Sequence, residues 1–154
     1  MHSRRPSWLS LVRGVAWVGA AGSLVGCSSS SSSPSAAPTF TDVYQQILGP
    51  QCGAGCHMPG ASGVTQGMLD LSSQTTAYNA LFEVAAAGSA CAGKGTRVIP
   101  GNVDQSVLAE KIDPKLFPNL DCGGLMPLGG ATLSQSDIDE VESWIAAGAK
   151  NDTD

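Results

Sequence analysis

Within six residues, Cys52-Gly53-Ala54-Gly55-Cys56-His57 gathers two thiols and an imidazole. Any fold of this chain must engage them, because a thiol in an oxidising compartment does not stay free for long. A length of 154 residues suits one compact domain, so the remainder is read as a cage for whatever these three groups hold.

The compartment follows from the N-terminus. Arg4, Arg5 and Arg13 precede a short apolar run from Gly14 to Val25. That run is too short to span a bilayer as a lasting helix, but it has the length of a signal-peptide core. Leu24-Val25-Gly26-Cys27 resembles the bacterial lipobox, so residues 1–26 are expected to be a lipoprotein signal peptide and Cys27 the lipidated N-terminus that remains. The plainer alternative is an ordinary cleaved signal with Cys27 incidental. Acyl chains on Cys27 would anchor the protein, each buried methylene contributing about 0.8 kcal/mol. Ser28 after that Cys, in place of Asp, favours the outer membrane by analogy with bacterial lipoproteins. The Ser run and Pro34-Ser35-Ala36-Ala37-Pro38 cannot bury apolar surface, so residues 27–38 read as a flexible tether. The domain then covers 39–150, with a tail at 151–154.

Residues 1–26 carry three of the eight Lys and Arg and none of the thirteen Asp and Glu, so the mature chain keeps five basic residues against thirteen acidic ones, a formal charge of −8. The acidic balance disfavours nucleic acid, whose phosphates need basic surface, and charge-driven docking on anionic lipid. A soluble partner with a basic face suits this surface.

The apolar spacing predicts a mostly α domain. Phe40, Val43, Tyr44, Ile47 and Leu48 make a first helical stripe, with Thr39 or Thr41 as N-cap and Gly49-Pro50 as the stop. Leu69, Leu71, Ala77, Tyr78, Leu81 and Phe82 suggest a second helix entered through Ser72-Ser73. Ala85 to Gly95 reads as a loop, and Val103 to Ile112 as a third helix with Val107, Leu108 and Ile112 inward. The last helix is the clearest. Ser134-Gln135-Ser136-Asp137 has the form of a capping box, Ile138, Val141, Trp144 and Ile145 form the stripe, and Gly148 stands as the C-terminal cap. No stretch alternates as a strand does.

With Cys27 set aside, Cys52, Cys56, Cys91 and Cys122 each need a partner after export. Three schemes are open: Cys52 and Cys56 on the vinyl groups of a haem with Cys91 paired to Cys122, two disulfides, or a thiolate zinc site of Cys₄ or Cys₃His type. A His directly after the second Cys is what haem attachment requires, and neither alternative needs it. The spacing here is one residue wider than the usual C-x-x-C-H, and Gly53 and Gly55 supply the backbone freedom to absorb it. The only other imidazole, His2, lies in the signal peptide. A second iron ligand within the chain would then be a thioether: Met58 is too close to His57, Met68 shares the early segment, and Met126 lies far off in a Gly/Pro-rich loop. The plain reading of Met126 is a gap-filling core side chain.

This order of parts, an N-terminal helix, Cys-x-x-x-Cys-His, a Met-Pro loop and a C-terminal amphipathic helix, resembles class I c-type cytochromes. Leu69-Asp70-Leu71, Arg97-Val98-Ile99-Pro100-Gly101, Met126-Pro127-Leu128-Gly129-Gly130 and Trp144-Ile145-Ala146-Ala147-Gly148-Ala149 look like the cytochrome c domains of secreted planctomycete and myxobacterial proteins. The resemblance implies an all-α, cytochrome c-like domain around one covalent haem c, held by Cys52 and Cys56, with His57 and Met126 on its iron. Cys91 and Cys122 are then the natural disulfide. Arg97, the only Arg outside residues 1–26, would suit a haem propionate, although a solvated surface Arg is the more ordinary reading.

The resulting expectation is an exported, membrane-tethered electron carrier, not an enzyme, that passes electrons to a periplasmic or surface redox protein. Two other readings are open: a haem-free, disulfide-stabilised surface lipoprotein with a binding or structural role, and a haem-based sensor in which Met126 gives way to a small molecule.

Overall fold

Thr39 starts the first helix of the computed structural model, which describes residues 36–152. The expected signal peptide, Cys27 and most of the expected tether lie outside the described residues. Thr39 Oγ1 accepts from Asp42 N at 3.1 Å and the Asp42 carboxylate accepts from Thr39 N at 3.1 Å, a reciprocal capping box. A third bond comes from the far end of the chain, where Asp152 Oδ1 accepts from Thr41 N at 3.0 Å.

α1 (Phe40–Val43) runs without a break into a π-helix, Tyr44–Gly53. The stop expected at Gly49-Pro50 therefore does not occur. In an α-helix Pro50 would lack its N–H and crowd the carbonyl one turn back. The wider π winding passes over this point, with Ala54 N donating to Gly49 O at 2.9 Å. A π turn is also how a helix takes up a surplus residue, and here it lies directly upstream of the widened Cys spacing.

α2 (Ser62–Thr65) is a single turn that no sequence signal announced. α3 (Gln74–Leu81) begins where expected, Ser73 Oγ accepting from Thr76 N at 3.2 Å. Leu69 and Leu71 are not part of it: they precede it in non-helical backbone after a left-handed residue, Met68 at φ +50°. The third expected helix divides at Ser106 into a 3-10 turn, Val103–Gln105, and α4 (Val107–Ile112). The buried Ser106 hydroxyl causes the break by accepting from Ile99 N at 2.9 Å and donating to Asn102 O at 2.7 Å.

α5 (Gln135–Ala146) has Ser134 as its cap, with Oγ accepting from Asp137 N at 3.2 Å. Only half of the expected capping box forms, because the Asp137 carboxylate accepts from Gln51 Nε2 at 3.2 Å instead. Gly148, at φ +102°, closes the helix: its N–H reaches Ile145 O at 3.0 Å and Ala149 N reaches Trp144 O at 2.9 Å, the crossed pair of a Schellman ending.

α5 packs on α1 and α4, and the stripes seen in the sequence meet in one core. Phe40 is its hub, 5.0 Å from the Trp144 ring and 5.1 Å edge-on to Tyr78, which stacks in turn on Phe82 at 5.1 Å. Among the described residues extended backbone makes only isolated bridges, such as Phe82 with Val98 and Thr96 with Ser106. No described helix is long and apolar enough to cross a membrane.

Candidate functional site

Cys52 sits in the last turn of the π-helix and packs against the main core, while Cys56 is exposed, and both are free thiols. Burial, and after it the nearby Cys56, pushes the Cys52 thiol up to about 11, so it is neutral at physiological pH. Between them Gly55 turns the chain at φ +82°. Gly53 permits a close crossing, since a Cβ there would lie 2.7 Å from Leu71 O. A second wide closure follows, His57 N donating to Cys52 O at 3.0 Å.

His57 is held at both ends. Its carbonyl accepts from Leu71 N at 2.8 Å, and its ring Nδ1 lies 3.0 Å from Leu69 O. A carbonyl can only accept, so Nδ1 carries a proton, and in the neutral tautomer this selects, Nε2 holds the lone pair. Among the described residues Nε2 has no hydrogen-bond partner. The first turn of α2 lies against this ring: Gly63 N donates to Cys56 O at 3.0 Å, and a Cβ on Gly63 would fall 2.6 Å from His57 Cγ and Nδ1.

The carbonyl that orients the ring follows the left-handed Met68, a conformation that costs a non-glycine residue about 1 kcal/mol or more. Met68 is secured on both sides, its N–H donating to Val64 O at 3.1 Å and its carbonyl accepting from Arg97 Nη2 at 2.5 Å. Arg97 Nη1 donates to Ala80 O at 2.8 Å, in the last turn of α3. The ordinary expectation of a solvated Arg97 is thus corrected: the residue is only 7% exposed, drawn inward by two main-chain carbonyls.

Cys91 and Cys122, 31 residues apart, form a disulfide with an S–S distance of 1.98 Å. That bond withdraws both sulfurs from any thiolate zinc site and leaves Cys52 and Cys56 as the unpaired thiols among the described residues. Cys122 opens the loop that carries Met126. Lys111 of α4 holds this loop from inside, its Nζ donating to Gly124 O at 3.0 Å and to Cys122 O, while its own carbonyl accepts from Met126 N at 2.8 Å. Burial lowers the Lys111 ammonium from its ordinary value. Met126 itself is half-buried and joined to Pro127 by a cis bond.

Replacing Cys91 and Cys122 together by Ser is expected to destabilise the domain by about 3–4 kcal/mol through the freed loop entropy. Urea unfolding of the variant against the wild type reads this; equal midpoints would mean that Lys111 alone secures the loop.

The structure gathers Cys52, Cys56 and His57 on one turn and sets Met126 on a separate, stapled loop. Gly63, Leu69 and Lys111 belong to the arrangement but were not read from the sequence as site residues: Leu69 acts through its backbone carbonyl, Lys111 through an ammonium that reaches carbonyls of a distant loop, and Gly63 through the side chain it lacks. No family model matches the chain, and no curated protein and no solved structure matches it either.

Proposed function

We propose that this protein is a membrane-tethered c-type electron carrier, with haem c on Cys52 and Cys56 and His57 and Met126 as axial ligands. The observation that carries the reading is the His57 tautomer. Directly after two free thiols stands an imidazole whose Nδ1 is committed to Leu69 O at 3.0 Å, and this leaves Nε2 as the donor a haem iron takes.

The donor set fits that cofactor. A cysteine thiol adds across a vinyl group, sulfur bonding one carbon and the thiol hydrogen passing to the other, so the product is a neutral thioether. The neutral state favoured at Cys52 by burial agrees with such a sulfur better than with a thiolate. The packing of α1 on α5 and a Met loop stapled by a disulfide are consistent with a helical cage of the cytochrome kind. Once bound, the haem supplies one-electron exchange between Fe(III) and Fe(II).

The protein residues would do the rest. His57 is oriented by Leu69, Met126 is presented by a loop wrapped on Lys111, and the thioethers prevent loss of the group. On this reading the chain has no catalysis of its own, since its one imidazole outside the signal sequence is committed. The acidic mature surface suits a periplasmic or surface redox partner with a basic face, and the Cys27 lipid would keep the protein at the membrane.

Denaturing electrophoresis with haem-peroxidase staining tests the proposal. Protein exported in a strain with working c-type maturation is expected to stain at the monomer band, and the Cys52→Ser, Cys56→Ser double variant is expected not to. An unstained wild type sinks the haem reading and leaves a disulfide-stabilised surface lipoprotein.

A further inference from the structure

We propose that Arg97 is a positioning residue for the His57 imidazole, acting through the left-handed turn at Met68. The proposal rests on the reading of His57 as an axial ligand. It differs from a propionate contact, because the two terminal nitrogens of the guanidinium already serve main-chain carbonyls at 2.8 and 2.5 Å.

Arg97 is a buried cation, 7% exposed, with no carboxylate partner among the described residues. Burying a guanidinium is unfavourable unless its donors are satisfied, and here carbonyl dipoles alone do so. An apolar side chain could fill the same space without that penalty, so the charge is kept for what its donors hold. Those donors join two pieces of chain. One is Ala80 O, among the last carbonyls of α3, which an α-helix leaves without internal partners. The other is Met68 O, at the point where the backbone is forced to φ +50°.

The peptide that follows Met68 is gripped at both ends. Its carbonyl accepts from Arg97 and its N–H, on Leu69, donates to Gly63 O at 3.1 Å. That plane is the base from which the next carbonyl along the chain, Leu69 O, is presented to His57 Nδ1 at 3.0 Å. Arg97 is itself rigidly mounted, since its N–H donates to Val84 O at 2.8 Å and its carbonyl accepts from Leu108 N at 2.9 Å. Without the guanidinium, Met68 can relax from its strained conformation and carry Leu69 O off the ring. The imidazole then loses the partner that fixes its tautomer and plane.

The test compares the full-length exported wild type with Arg97→Gln, Arg97→Lys and a control, Val141→Ala, which loosens the α5 side of the core. Two readouts are taken: the His57 ring ¹⁵N shifts and Nδ1–H solvent exchange by NMR, and, in haem-stained protein, the reduction potential. Arg97→Gln is expected to speed Nδ1–H exchange by about tenfold, the equivalent of one lost hydrogen bond, and to shift the potential. Arg97→Lys, which keeps the charge but not the fork, should lie between it and the wild type, and should serve as the folded comparison if Arg97→Gln unfolds. Val141→Ala should leave both readouts unchanged. Wild-type exchange in either Arg97 variant, or equal changes in Val141→Ala, overturns the proposal. The ring measurement does not need haem, so an unstained wild type removes the electron-transfer reading while the exchange rates still decide whether Arg97 orients His57.

Discussion

Gly63→Ala is expected to displace the His57 imidazole and destabilise the domain by about 2–3 kcal/mol, the upper range for forcing extra volume into a filled site. The added Cβ would lie 2.4 Å from Cys56 O and 2.6 Å from His57 Cγ and Nδ1. Neither contact can be relieved by a flexible side-chain end. Cys56 O is backbone and is itself the acceptor for Gly63 N at 3.0 Å, while the ring is held by Leu69 O at 3.0 Å. Either α2 lifts off the Cys56–His57 peptide or the ring turns away from Leu69. Both outcomes reach the site, so under the proposed haem reading the covalent haem yield should fall together with stability. Gly60→Ala is the matched comparison, because a Cβ there meets nothing within 4 Å and only the left-handed φ of +88° opposes it, at about 1 kcal/mol. Equal unfolding midpoints for the two variants, with an unchanged His57 tautomer, would refute the contact.

What could be read from the sequence follows from how far each structural cause acts along the chain. α5 was legible because its determinants are local: a Ser at the cap, Ile138, Val141, Trp144 and Ile145 at helical spacing, and a Gly where a left-handed closure is needed. The end of the first helix was not, since Gly49-Pro50 is a stop only for α winding and the chain continues as a π-helix. Ser106 split the third helix through bonds of its hydroxyl to Ile99 and Asn102, partners that no periodicity reveals. The site divides in the same way. Cys52, Cys56 and His57 announce themselves by chemistry and adjacency. Arg97 and Gly63 do not, because one works through carbonyls 17 and 29 residues away and the other through the absence of a side chain.

Phe40→Ala should be among the most damaging core substitutions, at about 3–5 kcal/mol, a large share of the roughly 5–15 kcal/mol by which a domain of this size is stable. Phe40 is fully buried in the first turn of α1 and touches three aromatic neighbours, with Tyr44 at 6.3 Å, Tyr78 at 5.1 Å and Trp144 at 5.0 Å between ring centroids. Truncation leaves a cavity bounded by three helical elements whose backbones are tied elsewhere. The Thr39–Asp42 box fixes α1, Ser73 fixes α3, and the Gly148 ending fixes α5, so the walls cannot collapse inward to refill it. Trp144→Ala should cost a comparable amount and also release Lys150 O, which the indole N–H now reaches at 3.0 Å. Because the two rings face each other, the double variant should lose less than the sum of the singles, with a coupling of about 1 kcal/mol or more. Urea unfolding of the four proteins completes the cycle. Strict additivity would mean that Phe40 and Trp144 stabilise separate parts of the core.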